Sequence, residues 1–183
     1  VIIYGACSLY FAMEPNKSQP IGGVRKDFVA LGQKKLLDLG EAFPGISILV
    51  PIALVFVVLI WFILNKTTFG KNVYAIGGNR EAAVVSGVNV SRTIMMILIL
   101  ASVLYGVAGV LEGARTAGAT NNYGNGYELD AIAACVVGGV SLNGGVGKIG
   151  GIISGVLIFT VIQYGLQFIS INPNWQQVIK GII

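Results

Sequence analysis

The stretch ISILVPIALVFVVLIWFIL, residues 46–64, places 19 consecutive uncharged side chains in a row. As a helix it reaches about 28 Å, enough to cross the hydrocarbon core of a bilayer. Pro51 falls in its first turns, where a missing backbone donor costs least. Trp61 stands near the other end, in the place of an interfacial anchor. Two further runs have comparable length: Ile94 to Leu111, with 18 residues, and Ile152 to Ile171, with 20. These three runs decide the fold class: an all-α, polytopic transmembrane helix bundle.

Composition agrees. Of 183 residues, 55% are apolar and 11% charged, and the mean hydropathy is +0.79. A soluble domain carries roughly 25% charged residues, more than twice this share. Glycine contributes 26 residues, and small residues let membrane helices approach closely. No histidine is present, which removes the common catalytic triads and imidazole general bases, and there are only two cysteines. Cys7 and Cys135 lie among small apolar residues and read as inert thiols. Ser154-Gly155 resembles an intramembrane hydrolase serine but has no histidine to activate it. The net charge of +4 is too scattered to indicate a nucleic-acid partner. Val1 at one end and Ile182-Ile183 inside an apolar run at the other make the sequence read as an internal piece of a longer protein.

The connecting segments orient the chain. Residues 1–12 look like the end of a membrane helix, and 13–45, broken by Pro15, Pro20 and Gly22-Gly23, read as a loop. Residues 65–93 hold Lys66, Lys71, Arg80 and Arg92 against the single acid Glu81, which places this loop in the cytoplasm. Residues 112–130 carry three acids and only Arg115, as an outer loop does. Residues 131–142 are apolar but span only about 18 Å as a helix. Either flanking residues complete a crossing there or the segment dips in and returns. The motif INPNW, 171–175, makes a turn before a last helix starting at Gln176.

Gly145-Val146-Gly147-Lys148-Ile149-Gly150 matches G-x-G-x-x-G, but no acid follows it and the next segment is a membrane span. A dinucleotide site needs the opposite context. The better reading is a tight turn where two helices meet on glycine. The spacings Gly147/Gly151 and Gly151/Gly155 support helix packing there. Gln163, Tyr164 and Gln167 place polar groups on a membrane span, where they either join helices or face a polar pathway.

Within the cytoplasmic loop, Asn79 is a good N-cap and Glu81 lies in the first helical turn. Residues Arg80 to Ser86 then form two turns that end at Gly87 in the left-handed cap position. This short helix is largely apolar, through Ala82, Ala83, Val84 and Val85, and reads either as a docking element or as an ordinary interfacial helix.

The segment GKNVYAIGGNREAAVVSGVNV, 70–90, resembles the coupling loop of sugar permeases in bacterial ATP-binding-cassette (ABC) importers. GATNNYGNGYELDAIAACVVGGVSLNGGVG, 118–147, and IFTVIQYGLQFISINPNWQQVIKG, 158–181, are similar to the galactose/methyl-galactoside group among them. The resemblance covers most of 46–183 and corresponds to the C-terminal half of such permeases. It implies one transmembrane permease domain of the type II importer kind across 1–183, with 65–93 as coupling loop. It also implies a dimer of permease copies in the bacterial inner membrane, beneath a periplasmic sugar-binding protein and above cytoplasmic ATPase subunits. This chain would then bind no cofactor or metal and do no covalent chemistry, ATP and magnesium being held by the partner ATPase. In that scheme Gly77, Gly78 and Gly87 permit turns, and Asn79 caps the coupling helix Arg80 to Gly87, whose first turn holds Glu81. Ala82, Ala83 and Ser86 let that helix fit a groove on the ATPase. Family topology favours a full crossing by 131–142. Ribose, autoinducer or branched-chain amino acid permeases are the nearest alternatives. An ion-coupled secondary transporter would be expected to place ionisable residues inside its spans, and these spans hold none.

Overall fold

The computed structural model describes residues 2–13, 22–36, 45–120, 123–170 and 172–182. In chain order the elements are α1 (Ile2–Ala12), α2 (Lys26–Gln33), β1 (Lys35–Leu36), β2 (Ile46–Ser47), α3 (Leu49–Lys66), α4 (Thr68–Gly78), α5 (Arg80–Val85), α6 (Val90–Thr116), α7 (Tyr127–Val137), α8 (Ile149–Phe168) and α9 (Pro173–Ile182). The two short strands pair antiparallel, Lys35 opposite Ser47 and Leu36 opposite Ile46. Every other regular element among the described residues is a helix. Among the described residues three helices, α3, α6 and α8, are long and apolar enough to cross a membrane.

Their ends shift from the apolar runs for local reasons. Ile46 and Ser47 belong to the ladder, and the Ser47 hydroxyl accepts from the Leu49 N–H at 3.3 Å, so α3 starts at Leu49. The helix runs on to Lys66, whose ammonium lies 5.7 Å from the centre of the Trp61 ring. Helix α6 has 27 residues, because Asn89 Oδ1 accepts from the Arg92 N–H at 3.0 Å and starts it early. Its other end, past the apolar run, carries a two-pronged Arg115–Glu112 pair at 2.8 and 3.0 Å. Apolar side chains such as Leu54, Val58 and Phe62 on α3 and Leu98 and Ile99 on α6 point outward. A helix whose middle is uncharged, apolar all round and unburied matches lipid as its solvent.

The chain forms two compact units, one of residues 1–59 with 96–123 and one of 60–95 with 124–183. In the first, α2 lies on the end of α6. Gly32 packs against the Ala114–Arg115 backbone, where a Cβ would come within 2.6 Å of the Ala114 carbonyl oxygen. The Gln33 amide donates to the Arg115 carbonyl at 3.1 Å, and Ala114 is fully buried. Of the expected loop 13–45, the described stretch 22–36 is therefore not simply a loop, and 14–21 and 37–44 lie outside the described residues. The amphipathic octet KDFVALGQ folds because the end of α6 is there to cover it.

In the second unit, α7 and α8 form an antiparallel pair, and α4 and α5 form the segment between α3 and α6. Residues 131–142 are not one helix. Helix α7 starts at Tyr127, with Glu128 and Asp130 in its first turn, and ends at Val137. Gly138 caps it and Gly139, with φ +80°, turns the chain away. At 11 residues, α7 alone spans only about 16 Å. The last helix starts at Pro173 rather than Gln176, since proline suits the first helical position.

Candidate functional site

The chain turns sharply out of α3 at Thr67. Its hydroxyl donates to the Ile63 carbonyl at 2.6 Å and accepts from the Gly70 N–H at 3.3 Å. Gly70 packs against the Leu64 backbone, where a Cβ would meet the Leu64 Cα at 2.6 Å. Helix α4 follows and ends at Asn79, which serves both neighbours. Its N–H donates to the Ala75 carbonyl at 3.0 Å, closing α4. Its side-chain Oδ1 accepts from the Ala82 N–H at 3.0 Å, opening α5. The other end of α5 closes as tightly. The Ser86 hydroxyl donates to the Ala82 carbonyl at 2.8 Å, and the Gly87 N–H donates to Val84 and the Val88 N–H to Ala83, each at 3.0 Å. Gly87 has φ +80°, the left-handed conformation that this closure needs.

The faces of α5 differ from the sequence expectation. Ala83, expected in a partner's groove, is buried at 4% exposure and packs inside its own chain. Val85 is 88% exposed, and Arg80, Glu81, Ala82, Val84 and Ser86 are exposed with it. Helix periodicity placed all the alanines on a short apolar segment without saying which one turned inward. Gly77 and Gly78 also differ. They are the last two helical residues of α4 rather than a turn, and Gly77 is needed for close approach. A Cβ there would lie 3.0 Å from the Gly145 Cα and nearer still to its nitrogen.

That approach comes from the glycine-rich segment between α7 and α8. Ser141 N–H donates to the Val146 carbonyl at 3.0 Å, pinching the segment into a turn. Gly144 and Gly145 have φ +89° and +72°, conformations that L side chains avoid. The Tyr74 hydroxyl of α4 donates to the Gly147 carbonyl at 3.0 Å. Gly147 thus lies in this turn, touching Val140, and is not on the helix face that its spacing to Gly151 suggested. Beside this contact is a cavity of about 400 Å³ lined by Tyr74, Gly138, Gly139 and residues 145–148 and 151.

Gly151 and Gly155 do lie at a helix–helix contact. Gly151 approaches the Gly138 carbonyl, and Gly155, buried, approaches the Ala134 carbonyl and Gly138. Farther along the same pair, the Gln163 amide donates to Asp130 Oδ2 at 3.4 Å. These two residues line a larger cavity of about 700 Å³ with Asn125, Tyr127 and Glu128. Of Gln163, Tyr164 and Gln167, Gln163 alone lines that cavity; Tyr164 and Gln167 are exposed elsewhere on α8.

Sequence reasoning put Gly145 in a tight turn but missed Tyr74, Gly138 and Gly144. The run NGG at 143–145 is a turn signal that could have marked Gly144. Nothing local marks Tyr74 or Gly138, whose partners lie far along the chain.

Residues 10–183 match the family described as branched-chain amino acid transport system, permease component. The chain is 50% identical over 183 residues to the galactose/methyl galactoside import permease protein MglC of Escherichia coli (strain K12), covering 100% of this chain and 53% of that protein. The corresponding MglC of Haemophilus influenzae is 51% identical over 183 residues, with the same coverage. The xylose transport system permease protein XylH of Haemophilus influenzae is 38% identical over 166 residues, 88% of this chain and 44% of that one. The chain spans about half the length of the curated relatives it matches. No solved structure matches significantly. With long apolar helices and a family match over nearly its whole length, the chain is an integral membrane protein and belongs to the branched-chain amino acid transport system permease family.

Proposed function

We propose that this chain is part of the membrane-spanning permease of an ATP-driven sugar importer of the galactose/methyl galactoside class. The observation that carries the reading is α5. It is a helix of six residues, capped at both ends, with Val85 turned out, between two spans of a chain 50% identical to a galactose/methyl galactoside import permease. An apolar surface held out on so ordered a segment suits a docking partner better than bulk water. That partner is an ATPase subunit, which holds ATP and magnesium. Its movement on hydrolysis displaces α5 and switches access to the translocation route between the two membrane faces.

The basic excess of 65–93 supports a cytoplasmic place for α5, and the membrane in this reading is the bacterial inner membrane. Contact of Gly144 and Gly145 with Gly77 supports the same side for the turn at 138–148. In that reading α7 and its flanks cross together from the periplasmic face, and the segment does not dip and return. The functional unit pairs two permease copies with ATPase subunits and receives sugar from a periplasmic binding protein.

The test is reconstitution of the full-length permease with its ATPase in proteoliposomes, with binding protein and labelled galactose. Uptake should require ATP hydrolysis and survive a protonophore. Uptake that needs an ion gradient and ignores ATP would point to a secondary transporter.

A further inference from the structure

Helix α5 packs on α4 before it, and α4 in turn meets the turn between α7 and α8. Gly77 meets Gly144 and Gly145 backbone to backbone: a Cβ on Gly144 would lie 3.1 Å from the Gly77 Cα, and one on Gly145 2.7 Å from the Gly78 nitrogen. No side chain separates these strands of backbone, so none can bend to absorb a displacement. Tyr74 fastens the contact a turn earlier through its 3.0 Å hydrogen bond to Gly147. The cavity of about 400 Å³ beside the joint leaves the turn room to shift.

Beyond the turn the structure is equally stiff. Ala134 on α7 and its cap Gly138 lie backbone to backbone against Gly155 and Gly151 on α8, so the two helices move together. The far end of that pair carries Asp130, Gln163 and the larger cavity.

We infer that the glycine turn 143–147, clamped to α4 by Tyr74, is the joint through which displacement of α5 reaches the α7–α8 pair and its polar end. Tyr74 is a positioning residue in this scheme: it touches neither ATPase nor sugar. The inference rests on α5 being the ATPase contact and adds the next step inward.

The test uses the full-length permease with its ATPase and binding protein in proteoliposomes. Tyr74→Phe removes the hydrogen bond and keeps the ring. ATPase co-purification and ATP hydrolysis should stay at wild-type levels, while sugar moved per ATP hydrolysed falls roughly two- to tenfold, the range that one net hydrogen bond supports. A second readout follows the far end of the pair. With Cys7 and Cys135 replaced by alanine, the labelling rate of Asn125→Cys should differ between nucleotide-free and vanadate-trapped transporter. Tyr74→Phe should shrink that difference.

An unchanged transport ratio with an unchanged labelling difference would overturn the joint. Loss of ATPase binding in Tyr74→Phe would overturn it too, since the residue would then serve docking or folding. Failure of the α5 reading shows separately, as normal ATPase binding and transport when Val85 carries a charge.

Discussion

Ala83 and Val85 lie two residues apart on α5 and face opposite ways, one 4% exposed and the other 88%. The helix therefore has an inner face that its own chain covers and an outer face that is open. Charge placed on the two faces should fail in different ways. Val85→Arg should leave the permease folded and inserted but abolish ATPase co-purification and sugar-stimulated hydrolysis. Burying an unpaired charge at a contact costs several kcal/mol, and about 3 kcal/mol already weakens association more than a hundredfold. Ala83→Arg should instead lower the yield of folded permease, because the new side chain has no room inside. Measuring detergent-stable permease and bound ATPase for both variants separates the outcomes. Normal ATPase binding by Val85→Arg would show that the partner meets another surface.

Asn79 closes one helix and opens the next, so its loss should loosen α5 without unfolding the spans. Asn79→Ala removes an N-cap, which costs about 1 kcal/mol. Hydrogen exchange at the Ala82 and Ala83 amides should then speed up about fivefold, and Asn79→Asp should restore protection. Unchanged exchange in Asn79→Ala would mean that contacts of Ala83, rather than the cap, hold the helix.

Two glycines on α8 differ sharply in surroundings. A Cβ on Gly155 would strike the Ala134 carbonyl and Gly138, whereas one on Gly165 meets nothing within 4 Å. Overpacking costs typically 1–3 kcal/mol, about the scale that matters to a marginally stable protein. Gly155→Leu should lower the melting temperature of the purified permease and its accumulation in the membrane, and Gly165→Leu should do neither. Equal behaviour of the two would mean that the α7–α8 contact does not form in the assembled protein.

Impermeant thiol labelling checks the sidedness. With native cysteines replaced, Asn79→Cys and Asn143→Cys should label only from the cytoplasmic side and Asn125→Cys only from outside. Labelling of Asn143→Cys from outside would mean that the segment after α7 returns to the face it came from.

The long spans were legible in residues 46–64, 94–111 and 152–171, because nineteen or so uncharged residues have one stable home and one secondary structure there. Asn79, Glu81 and Gly87 likewise marked α5, since capping depends on residues a few positions apart. Local chemistry could go no further. Whether Ala83 or Val85 faces outward depends on which neighbour fills one side of the helix, and the alanines and valines of α5 are alike in pattern. Helix α2 needed the end of α6 beneath Gly32 before a short amphipathic octet was worth folding. The short apolar run after Asp130 was ambiguous because its length fits neither a full crossing nor a loop. Only the approach of Gly144 and Gly145 to Gly77, some 67 residues earlier in the chain (144 − 77), shows which helix end its turn meets. Glycine announces that backbones can come close, and the tertiary structure alone decides which backbone arrives.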